Sequence, residues 1–114
     1  MDAHPDVNLP YDTYQGYHAM ALTASLGMGD EEIINILPGK VDASKVLIVG
    51  LRSWDKGMKE RQVKLAIKSL SPANVAEDSS AVMEWLENTG VSRVIVHFDL
   101  DVLDPAELGA AVGC

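Results

Sequence analysis

The 114-residue chain has little cysteine, little positive charge and no long apolar run, and each scarcity argues against a class of protein. Its single cysteine, Cys114, excludes an intramolecular disulfide and is typical of a reducing compartment, so we expect a cytoplasmic protein. Nine Lys and Arg residues against 17 Asp and Glu give a net charge of −8, which disfavours nucleic acid and anionic membranes as partners. No apolar stretch approaches the roughly 20 residues of a transmembrane helix, and no basic and apolar leader of a signal peptide opens the chain.

The segment from Val94 to Leu100 is the most informative stretch, because it predicts a buried β-strand that ends in acidic residues. Apolar residues occupy every second position, and His97, Asp99 and Asp101 share the other face. Two carboxylates at the end of a buried strand are costly unless a positive group neutralises them. A divalent metal ion is the obvious candidate.

The other segments predict alternating helices and strands, and the chain is long enough for one small domain. Apolar periodicity and capping residues predict helices at 17–26, 30–36, 59–70 and 80–89, a buried strand at 45–51, a short edge strand at 74–77, and a short helix from Pro105 capped by Asp104. This alternation is typical of an α/β domain with a parallel sheet. In such sheets, ligands bind at the carboxyl ends of the strands.

The first residues of the chain carry several side chains that could form a site. Asp2, His4 and Asp6 alternate, so they would share one face of an extended segment. One interpretation places them beside Asp99 and Asp101 at one edge of the sheet, and the other is a frayed, solvated terminus.

Two separated motifs resemble the ureohydrolase family, which includes arginase, agmatinase and formiminoglutamase. They are Asp2-Ala3-His4-Pro5-Asp6 and the segment from Phe98 to Pro105, with the pattern D-x-D-x-x-D-P. The resemblance implies an arginase-like three-layer α/β fold, in which helices flank a parallel sheet. It also implies that residues 1–114 are the central part of a single domain that lacks its N-terminal and C-terminal portions.

By motif position, the resemblance implies a centre of two manganese ions (Mn2+). Asp2, Asp6 and Asp99 would bind one ion, and Asp2, His4, Asp99 and Asp101 the other. A carboxylate-rich set with one imidazole suits manganese better than zinc, which favours more nitrogen or sulfur ligands. A hydroxide that bridges two such ions would attack the guanidinium carbon of the substrate.

The resemblance also assigns residues around the metals. Asn8 and Asp55 would bind substrate, and His18 would relay protons as a catalytic residue together with Asp101. His97 would hold a metal ligand in place. Simpler alternatives are a surface or capping histidine at position 18, a turn aspartate at position 55 and core packing for His97.

The function implied is hydrolysis of a small guanidino or formimino substrate. Taken alone, this segment is expected to be inactive, to bind metal weakly or at one site, and to form homo-oligomers through unpaired sheet edges. One alternative is a non-catalytic, ureohydrolase-like scaffold for binding or assembly. Another is a haloacid-dehalogenase-type phosphohydrolase, although Leu103 stands where that family has Thr or Val.

Overall fold

The structure is a computed structural model that describes residues 1–109, so Cys114 lies outside the described residues. None of the helices within this range is long and apolar enough to cross a membrane. Within residues 1–109, seven elements of regular structure are joined by short loops and three 3₁₀ turns. They are α1 (Ala21–Ser25), α2 (Glu31–Ile34), β1 (Leu47–Val49), α3 (Lys56–Lys64), β2 (Lys68–Leu70), α4 (Pro72–Glu77) and α5 (Ser80–Thr89), with the turns at Tyr17–Met20, Ala43–Lys45 and Leu100–Val102.

The chain forms two compact units, each made of separate stretches of sequence. The first contains residues 1–3, 47–53 and the chain from residue 69 onward. The second contains residues 4–46 and 54–68.

The first unit is built around the sheet edge formed by β1 and β2. These two neighbouring strands are parallel, and the N–H of Gly50 donates to the carbonyl of Leu70 at 2.8 Å. The apolar run that predicted the first strand supplies its buried residues, Ile48, Val49 and Leu51. The sequence prediction of an α/β fold with a parallel sheet and flanking helices is therefore confirmed, with part of the domain present.

The predicted helix at 59–70 is wrong at both ends. It begins earlier, at Lys56, and ends at Lys64, and residues 68–70 form β2 instead. Ala66 takes a left-handed conformation (φ 56°), which a continuing helix does not allow. Ile67 is buried after this turn, whereas Val63, which the helical pattern placed on the apolar face, is 71% exposed.

The predicted edge strand at 74–77 is also wrong, because this segment lies in α4. The Ser71 hydroxyl accepts from the N–H of Asn74, and the Asn74 side chain accepts from the N–H of Ser71. Pro72 occupies the first helical turn, where its missing N–H costs nothing. This reciprocal capping box fixes a helix start. The following helix, α5, ends at Gly90 (φ 66°) as predicted.

The segment from Val94 to Leu100 does not form a strand in the part of the chain that the structure describes. Its side chains are exposed apart from the half-buried Asp99, and Ile95 is 97% accessible to solvent. Its end is bound to the first residue of the chain by two hydrogen bonds. The amino group of Met1 donates to the carbonyl of His97, and the N–H of Asp99 donates to the carbonyl of Met1 at 2.9 Å. Two bonds to one residue are not the repeated ladder that defines a strand, so the buried strand predicted here is wrong for these residues.

The second unit is helical and packs around a buried segment near residue 7. Val7 and Thr23 are fully buried, and the Thr23 hydroxyl donates to the carbonyl of Asn8 at 2.6 Å. The predicted helix at 17–26 is present as a 3₁₀ turn followed by α1. The predicted helix at 30–36 is present as the shorter α2, capped by Asp30.

Candidate metal centre

Asp2 and Asp99, which lie 97 positions apart in the sequence, are held close together in the first unit. Asp2 is 7% exposed, and its N–H donates to the carbonyl of Val49 at 3.0 Å, beside β1. The bond from Asp99 to Met1 places the second carboxylate next to the first. Strand β1 therefore positions Asp2, and Met1, the residue before Asp2, positions Asp99.

Asp101 is buried in the same unit and accepts a bond from the beginning of the chain. Its Oδ1 atom accepts from the N–H of Ala3 at 3.1 Å. Asp99 caps the 3₁₀ turn that carries Asp101, because its Oδ1 accepts from the N–H of Asp101 at 2.9 Å. One carboxylate thus orients the backbone that carries the other.

Arg52 fixes the segment that follows Asp99, a role that the sequence analysis did not assign. Its guanidinium donates to the carbonyls of Asp101, Val102 and Leu103. Its own N–H donates to the carbonyl of Ala3 at 3.0 Å. Because one planar guanidinium binds three successive carbonyls, it holds the turn at residues 101–103 in a single conformation.

Gly50 allows this segment to approach β1. Its φ of 94° is in the left-handed region, and an added Cβ would overlap the Cγ2 atom of Val102. Gly50 lies in the strand predicted at 45–51 and Arg52 follows that strand directly, but the sequence did not indicate either of these roles.

The His97 side chain completes a group of three possible metal ligands. Its Nε2 atom lies 3.7 Å from Oδ2 of Asp2. Donor atoms of Asp2, His97 and Asp99 all lie within 4.8 Å of one another. One nitrogen and two carboxylate oxygens are ligands that manganese and related divalent ions accept, so the donor set fits a metal ion.

Two further predicted ligands, His4 and Asp6, are half-buried residues of the second unit. Asp6 takes a left-handed conformation (φ 49°), and its carbonyl accepts from the N–H of Leu22 at 3.1 Å. A non-glycine residue in this region costs about 1–3 kcal/mol and persists only where its surroundings enforce it. Aspartate is among the residues that tolerate it best.

Asn8 is 3% exposed and is fixed by its neighbours within the second unit. Its N–H donates to the carbonyl of Ala19, and its side-chain amide donates to the carbonyl of Tyr14 at 3.2 Å. Its Oδ1 atom is buried and has no hydrogen-bond partner among residues 1–109. Such an unsatisfied buried acceptor is unusual in a folded protein and indicates a place where a donor group could bind.

His18 lies at the surface of the second unit and is paired with Tyr14. The Nε2 atom of His18 is 3.0 Å from the Tyr14 hydroxyl, and the two rings meet edge to face. Gly16 makes room for the pair, since an added Cβ would lie 2.7 Å from the ring of Tyr14 and 2.8 Å from that of His18. The sequence analysis did not identify Tyr14 as a partner of His18. A spacing of four brings side chains together on a helix, but Tyr14 lies outside the helix predicted at 17–26.

Asp55 and Asp104 both have capping roles in the structure. Asp55 begins α3, and its Oδ1 atom accepts from the N–H of Met58 at 2.7 Å. Asp104 accepts from the N–H of Ala106 at 2.8 Å. The predicted helix from Pro105 is reduced to a turn, but the predicted cap is confirmed. A substrate role for Asp55 stays a prediction.

Arg61 and Asp12 form a partly buried ion pair in the second unit. The guanidinium of Arg61 binds both carboxylate oxygens of Asp12, one of them at 2.9 Å, and donates to the carbonyl of Val7 at 2.8 Å. The hydrogen bond from Arg61 lowers the pKa of Asp12, and the same bond raises the pKa of Arg61.

The model of the arginase family matches residues 1–113 of the chain. The chain belongs to the arginase family. This confirms the resemblance drawn from the two acidic motifs, and it removes the phosphohydrolase alternative that the Asp-x-Asp pattern had left open.

Individual arginases show how much of the family domain is present. The arginase of Brevibacillus brevis is 35% identical over 116 residues, which cover 92% of this chain and 38% of the relative. That of Entamoeba histolytica is 31% identical over 112 residues, 91% of this chain and 36% of the relative. The chain thus spans less than two-fifths of the length of these two relatives.

Solved arginase structures have the same fold over the matched part. The arginase of Bacillus subtilis superposes with a TM-score of 0.84 and 28% identity, covering 99% of this chain and 42% of that one. The arginase of E. histolytica in complex with L-ornithine gives a TM-score of 0.78 at 28% identity, covering 92% and 37%. Arginase-family membership implies a metal cofactor, and the group around Asp2 is suited to hold an ion.

Proposed function

We propose that residues 1–114 are the central part of a single-domain, binuclear manganese hydrolase that acts on a guanidino or formimino substrate. The main support for the proposal is that donor atoms of Asp2, His97 and Asp99 lie within 4.8 Å of one another in a chain of the arginase family. The L-ornithine bound to the E. histolytica relative supports a substrate related to arginine, since ornithine and urea are the products of arginine hydrolysis.

The ligand roles proposed are those that the family motifs assign. Asp2 and Asp99 would serve both ions, Asp6 the first, and His4 and Asp101 the second. When bound, the manganese ions supply Lewis-acid activation of water at neutral pH. The buried carboxylates of Asp2 and Asp101 support this assignment, because burial of negative charge is costly unless a cation neutralises it.

The residues of the second unit bind and protonate the substrate in this proposal. The buried Oδ1 atom of Asn8 accepts a hydrogen bond from an N–H group of the substrate, and Asp55 is a second polar contact. The exposed imidazole of His18 gives a proton to the leaving amine. Tyr14 supports this role, because its hydroxyl can donate to neutral imidazole and accept from imidazolium.

A chimera tests the proposal. The matched 92% of this chain would replace the segment that it matches in the B. brevis arginase. Urea release from arginine and agmatine would be measured with manganese, as would hydrolysis of formiminoglutamate. We expect one substrate to be hydrolysed and Asp99→Asn to reduce the rate more than about 100-fold, as expected when a metal ligand is lost.

Asp104→Asn is the matched control for that experiment. Asp104 lies on the same acidic segment, and asparagine preserves its capping bond to Ala106. This variant should retain the activity of the chimera. A folded, manganese-binding chimera that hydrolyses none of the substrates would overturn the proposal.

A non-catalytic assembly role is the second candidate, and one observation favours it. Ile95 is 97% exposed, Val96 69% and Phe98 50%, in a segment of high strand propensity. Such a segment promotes homo-oligomers by strand pairing. Sedimentation of the chain and of its Ile95→Lys variant tests this: the wild type should self-associate, and the variant should shift toward monomer.

A further inference from the structure

We propose that His97 is itself a metal ligand, which makes Asp2, His97 and Asp99 a three-ligand site contained within the first unit. The inference rests on the proposed metal centre and extends it, because the sequence predicted for His97 only the holding of another ligand. It gives this unit a nitrogen ligand of its own, independent of His4.

The spacing of the donor atoms supports direct binding. Nε2 of His97 and Oδ2 of Asp2 are 3.7 Å apart, longer than a hydrogen bond. Two ligands with bonds of about 2.1 Å to one ion reach this separation at an angle of roughly 120°, which is ordinary for a divalent ion. The gap between the two side chains therefore has the length of two metal–ligand bonds.

The third donor, Asp99, lies on the same short segment as His97. A donor atom from each of the three residues lies within 4.8 Å of the other two. Asp99 uses one carboxylate oxygen to cap the turn at Asp101, and a carboxylate has two oxygens that can accept or ligate. The cap therefore fixes the side chain and is compatible with metal binding.

The backbone holds all three ligand residues before any ion binds. Asp2 is anchored by its bond to Val49 beside β1, Asp99 by its bond to the carbonyl of Met1, and His97 by its own carbonyl, which accepts from the amino group of Met1. The His97 side chain is 69% exposed, so it can turn toward an ion without displacing packed neighbours. A site of this kind needs only one side chain to reorient.

Pulsed electron paramagnetic resonance of bound Mn2+ distinguishes a ligand from a neighbour, because a coordinated imidazole gives a nitrogen modulation. The chain has three histidines. We would load the 114-residue chain with less than one equivalent of Mn2+ and compare the wild type with His4→Ala, His18→Ala, His97→Ala and His4→Ala/His18→Ala. His4→Ala/His18→Ala is the deciding variant, since a nitrogen signal that persists there must come from His97.

The expected result is a nitrogen signal in His4→Ala, in His18→Ala and in His4→Ala/His18→Ala that disappears in the double variant His4→Ala/His97→Ala. His97→Ala should also weaken Mn2+ binding at least about tenfold by calorimetric titration. Circular dichroism confirms that each variant is folded. His4→Ala/His18→Ala keeps His97 as its single histidine, so it decides the question even where His97→Ala does not fold.

Three outcomes would overturn the inference. The first is absence of the nitrogen signal in His4→Ala or in His4→Ala/His18→Ala, and the second is its persistence in His4→Ala/His97→Ala. The third is weaker Mn2+ binding by His97→Ala with no change in the nitrogen signal, whether His4 is present or replaced. The last would mean that His97 acts through hydrogen bonds or as a charged partner of Asp2. A catalytically inactive chimera would count against the hydrolase and would leave the nitrogen signal of this site unchanged.

Discussion

Replacing Gly50 with alanine should destabilise the first unit considerably more than the same change at Gly90. Both glycines have a left-handed backbone, with φ of 94° and 66°. They differ in their surroundings, because a Cβ at Gly50 overlaps Val102 whereas a Cβ at Gly90 meets no described atom within 4 Å. The pair therefore separates backbone strain from steric overlap.

The expected magnitudes follow from those two terms. A left-handed alanine costs about 1–2 kcal/mol, and alanine recovers about 0.4–1 kcal/mol by restricting the unfolded chain. Gly90→Ala should therefore lower the free energy of unfolding by about 1 kcal/mol. Gly50→Ala adds about 1–3 kcal/mol of overpacking against Val102, so its loss should be about 2–4 kcal/mol.

Urea unfolding followed by circular dichroism measures both free energies, and calorimetry measures the affinity for Mn2+. Because Val102 follows Asp101 directly, Gly50→Ala should also weaken Mn2+ binding, whereas Gly90→Ala should not. Equal losses of stability in the two variants would refute the reasoning, since they would mean that Val102 does not pack against Gly50.

Three further outcomes are expected. Arg52→Lys should weaken Mn2+ binding in the same titration and lower the free energy of unfolding by about 1–3 kcal/mol, because an ammonium cannot donate to three carbonyls as the planar guanidinium does. The pKa of Asp12 is lowered in the folded state from 3.8, so the stabilisation by Arg61 is present above about pH 4 and is lost as pH falls through the folded pKa. Asp12→Asn should remove this part of the pH dependence in urea unfolding between pH 2 and 6, and a parallel pH profile in the variant would contradict the assignment. Tyr14→Phe should change the balance of His18 tautomers in nitrogen NMR, with Tyr11→Phe as the control from the same loop, and an unchanged spectrum would show that the hydroxyl contact does not form in solution.

The sequence predicted the parallel sheet and the family because both depend on short-range patterns. The apolar run at 45–51 can be recognised as a strand from its composition, because a strand that is buried on both faces is apolar at nearly every position. Two acidic motifs at a wide separation identified the family, and no contact between them had to be known. The same pattern reasoning found the helix that ends at Gly90, since a glycine after an apolar helix is a strong stop signal.

The errors arose where a local signal was ambiguous or was overridden by tertiary structure. Ser71, Pro72 and Asn74 together favour a helix start, but Pro72 was interpreted only as the end of the preceding helix. The left-handed turn at Ala66 has no signal in the sequence, because alanine is a strong helix former. Residues 68–70 pair with β1 through a long-range bond that no local pattern encodes.

The candidate ligands were visible in the sequence, but the groups that orient them were not. A carboxylate pattern identifies Asp99 and Asp101 as possible ligands because each donor atom belongs to the residue itself. Their orientation depends on Arg52, which binds the backbone after Asp99, and on Gly50, which admits Val102. These two residues supply no ligand atom, so a change in either should alter metal affinity while the donor set stays the same. If substitution of Gly50 or Arg52 changes the affinity for Mn2+ while every ligand is retained, the substituted residue positions the ligands.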